Sequence, residues 1–328
     1  LRPRTVSELA ATTGYDRLPA DSRTIVGFFR DRVVDSLEDY LAPFEHTVAV
    51  MQTVGSLRRV AMESVIDHAT SGVVYAEVRM APSLHTQAGM TRREAIAAAL
   101  AGIAEGEAES GMAARLIVCA MRDSDDSAAV AQAAGEFVGD GVVGFDLAGP
   151  EAGFPANRHA SALAAAKDAG LHLTIHAGEG SGVASIQVAL DCGAERIGHG
   201  VRIVEDITAD SGYLRFGSTA EQVRRERIAL ELCLKSEIDT RVVHSAAAHP
   251  IDLLDREGFV TTINTDNTLM SMTDMSHEFG LLSSHKGFTN DDFRRLTLNA
   301  IDAAFCDDAT KEQVRSRVAL GYVGLDDT

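Results

Sequence analysis

Residues 171–200 read LHLTIHAGEGSGVASIQVALDCGAERIGHG. The stretch opens on 171–175, where apolar and polar residues alternate as they do along a strand. Gly178, Gly180 and Gly182 interrupt the run, and 182–192 then places its apolar residues at helical spacing. A second short apolar run, 196–198, completes the unit. A strand, a helix and a strand in such quick succession predict a βαβ unit and therefore parallel strands.

Working outward, the same alternation recurs. Apolar runs at 73–80, 114–121, 142–148, 171–175, 196–198, 228–233 and 259–265 are predicted strands, and 91–109, 127–138, 158–168, 182–192, 221–227 and 251–256 are predicted helices. The runs 73–80 and 114–121 are continuous enough to predict strands buried on both faces. The segment before residue 72 reads helical over 7–11, 22–41 and 56–69. Seven strands are one short of a closed (β/α)8 TIM barrel. The expectation is such a barrel, a single domain over 1–328, with its first strand lying before Leu1. An open doubly wound sheet is the alternative, but the chain shows no Gly-rich phosphate loop to open one.

Composition narrows the function. Lys and Arg number 30 against 48 Asp and Glu, a formal charge of −18 that repels phosphate backbones. With aromatics at 5 % and no Trp, stacking platforms for bases are scarce as well, so nucleic acid is not an expected partner. No apolar run approaches the length of a membrane span, so no membrane partner is expected either. The four cysteines, Cys119, Cys192, Cys233 and Cys306, are widely spaced with no CxxC, which predicts a reducing, cytoplasmic location.

Candidate chemistry lies where the predicted strands end, the active-site face of a barrel. Alternation puts His172, Thr174 and His176 on one face. His176 at the strand end, with Glu179 across a Gly, suits a metal ligand beside an acid–base carboxyl; a core His and a surface Glu is the plainer alternative. His199 stands between Gly198 and Gly200, where the backbone can approach a ligand closely. Asp266 and Asn267 end the run 259–265 and suit a metal ligand and a reader of a polar group, or else a helix cap. Gly149 follows 142–148 and can offer its backbone N–H. Asp146 needs a partner if buried. Tyr75, Glu77 and Arg79 share a strand face and read as structural. His85, His244 and His249 are weaker candidates at the mouth. Together His176, Glu179, His199 and Asp266 predict a mononuclear hydrolytic metal site.

These segments resemble the adenosine deaminase family of the amidohydrolase superfamily: Tyr75-Ala-Glu-Val-Arg79, Gly144-Phe-Asp-Leu-Ala-Gly149, His176-Ala-Gly-Glu179, Arg196-Ile-Gly-His-Gly200, Leu230-Glu-Leu-Cys233 and Asn264-Thr-Asp-Asn267. Thr268-Leu-Met-Ser271 is similar to the actinobacterial version. The resemblance implies a (β/α)8 barrel with one zinc ion, and hydrolytic deamination of an aminopurine nucleoside: adenosine or deoxyadenosine to the inosine product plus ammonia. It implies His176 and Asp266 as metal ligands, His199 as the group that orients the attacking hydroxide and takes its proton, and Glu179 as the donor to the purine ring nitrogen. Gly149 would donate its N–H to another ring nitrogen. Asn267, where many members carry Asp, would contact the imidazole half of the purine.

Two departures set further expectations. The family's His-x-His-Leu-Asp-Gly, carrying two more zinc ligands, is absent and is expected upstream of Leu1. Residues 234–241 read Leu-Lys-Ser-Glu-Ile-Asp-Thr-Arg where the family commonly runs Pro-x-Ser-Asn-x-x-Thr-Gly. Lys235, Ser236 and Glu237 are therefore expected in a specificity loop at the barrel mouth. The alternatives are a deaminase of a modified nucleoside, a nucleotide or free adenine, and a metal-free barrel that only binds.

Overall fold

All seven apolar runs form strands in the computed structural model, which describes residues 1–32 and 34–325. They are β1 (Tyr75–Met80), β2 (Ala113–Met121), β3 (Val142–Ala148), β4 (His172–Ala177), β5 (Arg196–His199), β8 (Ala229–Leu232) and β9 (Val260–Ile263). Each pairs in parallel with the next, in the order β1-β2-β3-β4-β5-β8-β9. The remaining two, β6 (Ile207–Asp210) and β7 (Tyr213–Phe216), form a separate antiparallel hairpin. Ser211 and Gly212 turn it with positive φ angles of 52° and 86°, the two-residue turn that matches strand twist.

Helices carry the chain from strand to strand, among them Arg92–Ser110, Ser127–Gly135, Ala160–Asp168, Val183–Asp191, Ser218–Arg225 and Ile251–Arg256. Local chemistry sets their ends. Thr91 and Glu94 form a reciprocal capping box, and Gly111, in the left-handed region, ends the same helix. Along β4, Leu173, Ile175 and Ala177 face the helices and join the main apolar core with Leu163, Ile186 and Leu190. The alternate residues, Thr174 and His176, face the opposite way.

That inner face is charged. Arg196 on β5 pairs with Glu77 on β1 at 2.7 Å and with Glu231 on β8 at 2.7 Å. Arg79 on β1 pairs with Glu231, and its Nε lies 3.5 Å from Asp146 Oδ2 on β3. Thr174 donates to Glu231 at 3.1 Å, and the Arg196 guanidinium stacks 3.5 Å from the Phe305 ring centroid. β1 and β8 stand five places apart in the strand order. A flat sheet would separate them by about 24 Å. Their direct ion pair shows that the sheet curls into the barrel.

The expected helix over 22–41 is two helices, Ser22–Arg30 and Leu37–Leu41. The reason is a second cap: Ser36 accepts the N–H of Asp39, just as Asp21 accepts that of Thr24. Val6, Ile25, Phe29, Tyr40 and Val50 from this N-terminal region form their own apolar cluster with Leu269 and Met270, just beyond β9. Among the described residues no helix is long and apolar enough to cross a membrane.

Arg196→Ala leaves Glu77 and Glu231 without that partner in a buried setting, and is expected to lower unfolding stability by about 3–5 kcal/mol in a urea titration. A loss below about 1 kcal/mol would contradict the role given to this pair of bridges. Burial raises the Glu231 carboxyl, but Arg79 and Arg196 outweigh it and hold the group at about 2, against an ordinary 4.5. The stability it contributes is complete above its ordinary value and is lost as pH falls through the folded one. Acid titration of Glu231→Gln should therefore show a shallower loss of stability between about pH 4.5 and 2 than the wild type.

Candidate active site

His176 stands near the C-terminal end of β4, with its Nδ1 2.9 Å from Asp146 Oδ2 on the neighbouring strand. Asp146 is fully buried. Burial pushes its carboxyl up, but His176 and Arg79 outweigh that and hold it at about 2. An ionised carboxylate only accepts, so His176 donates from Nδ1 and keeps the Nε2 lone pair for something else. Gly198 on β5 makes room for this ring: a Cβ there would lie 3.1 Å from His176 Cα and 3.2 Å from Cγ.

The chain then turns through Gly178 at φ +74°. Glu151, itself buried, accepts the backbone N–H groups of Gly178 at 2.7 Å, Glu179 at 3.0 Å and Ser181 at 2.9 Å. One carboxylate thus shapes the whole turn and aims Glu179 inward, where it is 7 % exposed. Burial raises the Glu179 carboxyl above its ordinary value, and Asp266 adds to the rise. Glu179 Oε2 lies 3.5 Å from His199 Nε2.

His199 ends β5 at φ +60°, a left-handed conformation that costs a non-glycine residue and marks a constrained position. Burial opposes a charge on its ring, but nearby acceptors, Glu179 foremost, outweigh that and raise its pKa. On the far side its Nδ1 meets Glu237 Oε1 at 3.3 Å. The segment expected as a loop is here the short helix Leu234–Asp239. Ser236 and Glu237 are both fully buried, and Lys235 Nζ pairs with Asp239 one turn on. Ser236 Oγ donates to Asp266 Oδ2 at 2.8 Å. Ser236 matches the family pattern, and Glu237, which stands where the family has Asn, is the departure that sits against a catalytic candidate. His249 is also wholly buried, with Nε2 2.5 Å from Glu237 Oε2, instead of lining the mouth.

Asp266 follows β9 at φ +51°, and Asn267 Nδ2 donates to its Oδ1 at 2.7 Å. Tyr40, from the N-terminal region, reaches the same segment through Ser271 at 2.9 Å. Gly149 follows β3 at φ +93°, and a Cβ there would come within 2.8 Å of Met121 Cε. Only glycine suits that turn.

The structure thus brings His176, Glu179, His199 and Asp266 together: the two imidazole rings lie 5.4 Å apart, Glu179 is 3.5 Å from His199, and Asp266 is close enough to raise the Glu179 carboxyl. Gly149 and Asn267 stand at the ends of β3 and β9 on the same rim. For a divalent metal, the free Nε2 of a carboxylate-anchored His176 and the carboxylate of Asp266 are suitable donors, the anchored tautomer being what a ligating His needs. A second group, His199, Cys233 and Glu237, brings donor atoms within 4.8 Å of one another.

Sequence reading passed over Glu151 and the His249–Glu237 contact. Glu151 had a signal, a carboxylate just after a strand-end Gly; the contact had none, because its members stand twelve residues apart with a helix between. Glu151→Ala removes the acceptor of three loop N–H groups. It is expected to lower the melting temperature and cut turnover by about tenfold or more, since a small displacement of an acid–base group is costly. Wild-type turnover in this variant would show that the turn holds Glu179 without it.

The adenosine deaminase family model matches residues 1–320. Among curated relatives, the adenosine deaminase of Mycobacteroides abscessus is 47 % identical over 314 residues, spanning 93 % of this chain and 87 % of its own length. That of Mycobacterium avium is 48 % identical over 318 residues, with the same two coverages. Of solved structures, an adenine deaminase from Arthrobacter aurescens shares the fold at a TM-score of 0.87 and 24 % identity, covering 98 % of this chain and 95 % of that one. An amidohydrolase from Burkholderia ambifaria with bound zinc superposes at 0.84 and 26 % identity, covering 99 % and 88 %. A barrel of parallel strands, a buried Glu–His pair at their C-terminal ends and these likenesses agree: the chain belongs to the adenosine deaminase family, metal-dependent deaminases on an amidohydrolase barrel.

Proposed function

We propose that this chain hydrolyses adenosine or deoxyadenosine to the inosine product and ammonia, with one zinc ion held in part by His176 and Asp266. The observation that carries the reading is the buried Glu179–His199 pair, 3.5 Å apart, with both groups raised above their ordinary pKa values. Raised pKa values on both groups favour a proton held between them, and deamination needs one. Attack at the carbon bearing the amino group breaks the aromaticity of the ring, so the adjacent ring nitrogen must gain a proton as water adds. Glu179, whose protonated form burial favours, donates it. His199 takes the proton of the attacking water through Nε2. His199 then returns that proton to the amino group, which leaves as ammonia, while the new hydroxyl gives its proton to Glu179 as the carbonyl forms.

When bound, zinc supplies an acidified water near neutral pH. The chain's own contribution is orientation: Asp146 holds the His176 ring, and Ser236 with Asn267 holds the Asp266 carboxylate. Gly149 offers its N–H to a second ring nitrogen, and Asn267 reads the imidazole half of the purine. A small uncharged nucleoside needs no electrostatic steering, which fits a chain of net charge −18. The four cysteines are free, which fits a cytoplasmic location.

The test is direct. Zinc-loaded protein incubated with adenosine should release ammonia and shift the ultraviolet spectrum towards inosine; absence of turnover with any aminopurine nucleoside, despite bound zinc, refutes the reading. Glu179→Gln should keep its metal and lose about 10²–10⁴-fold in kcat. Asp266→Ala should lose both, and zinc retained there at the wild-type level would contradict its role as a ligand.

A further inference from the structure

Glu237 is completely buried in the first turn of helix Leu234–Asp239, and its carboxylate is fully engaged. Oε1 accepts the N–H of Cys233 at 3.0 Å and faces His199 Nδ1 at 3.3 Å. Oε2 faces His249 Nε2 at 2.5 Å. The proton positions follow from the partners. The backbone N–H of Ile251 donates to His249 Nδ1 at 3.1 Å. That nitrogen must therefore be an acceptor, so His249 is neutral and carries its proton on Nε2, which donates to Glu237. Burial pushes the Glu237 carboxyl up, but the bonds from His199 and His249 outweigh it and hold it at about 2. An ionised carboxylate has no proton to give. The only arrangement that satisfies all three neighbours has His199 donating from Nδ1.

We propose that Glu237 is a positioning residue for His199. It keeps a proton on Nδ1 and fixes the ring plane, so that only Nε2, on the side of Glu179, exchanges a proton during turnover. Nδ1–H stays in place whether the ring is neutral or charged. The far tautomer, with Nε2–H and a bare Nδ1, would set two acceptors against each other in a dry site and is excluded. The logic is that of a carboxylate behind a catalytic imidazole, with His249 and the Cys233 N–H holding that carboxylate from behind. Glu237 is one of the departures in 234–241 from the family pattern. Its place in the fold makes it part of the proton-transfer apparatus and not a reader of substrate at the mouth.

The inference rests on the reading of His199 as proton acceptor, and the experiment separates the two. With zinc-loaded protein and adenosine, Glu237→Gln should lower kcat by about 10²-fold or more. KM should stay within about threefold and zinc content should match the wild type, a split that general loosening of the fold does not produce. In a His199→Gln background the same change should cost nothing further, because its effect passes through His199. A kcat for Glu237→Gln within about threefold of the wild type, or an equal loss in both backgrounds, overturns the proposal. Wild-type turnover by His199→Gln alone instead overturns the reading of His199 on which the proposal depends. A measurement independent of turnover uses the unmodified protein: long-range 1H–15N imidazole spectra, assigned by comparison with His199→Gln, should show a protonated Nδ1 on His199. An unprotonated Nδ1 in the wild type removes the positioning role, even if the enzyme is active.

Discussion

The bridge between Arg79 and Glu231 crosses the inside of the barrel, and much else depends on it. It joins strands that lie far apart in the sheet order, so it exists only once the sheet has curled. Two arginines and two glutamates, with Asp146 at their edge, fill a space that many barrels fill with branched apolar side chains. Charges in such a place are costly to desolvate and tolerable only as a complete set. Each charge has an opposite one beside it: Arg196 reaches both glutamates, Arg79 reaches Glu231 and Asp146, and Thr174 adds a hydroxyl. The network does more than close the barrel. Through Asp146 it reaches His176, so the interior that orders the strands also sets the orientation of a candidate metal ligand.

Carboxyl groups within one rim show how far environment decides chemistry. Glu179 and Glu237 flank the same imidazole, and both are buried. Glu237 is surrounded by donors, so it is held near 2 as an anion. Glu179 has a histidine on one side and the charge of Asp266 close by, so burial prevails and its pKa rises. Residues of identical chemistry are thereby pushed apart, one pKa raised and the other lowered. The backbone contributes as well. His199 and Asp266 both hold positive φ, and such conformations persist only where the surroundings over-determine them.

Much of this was legible in the chain. The runs 73–80 and 114–121 announce strands because they are dominated by apolar residues that need burial, although β1, which carries Glu77 and Arg79, is only half-buried along its length. His176, Glu179, His199 and Asp266 were legible because barrel chemistry collects where strands end. The hairpin β6–β7 was not, since its strands are only four residues each and largely exposed. The split of 22–41 was hidden because Ser36 caps a helix inside an otherwise apolar periodicity. The helix Leu234–Asp239 is not legible because its stabilising contacts, from Ser236 to Asp266 and from Glu237 to His199 and His249, all lie outside its own segment.

The sequence by itself determined the strand–helix alternation, the parallel sheet and the rim on which the chemistry gathers, because these follow from local periodicity and from which residue types can be buried. Tertiary structure alone decided what each polar group does. That Glu237 meets two histidines, and which nitrogen of His176 is free, depend on partners drawn from other parts of the chain. Hydrogen bonds and ion pairs act over a few ångströms in space, and nothing in the order of residues along the chain encodes which distant groups the closed barrel brings within that reach.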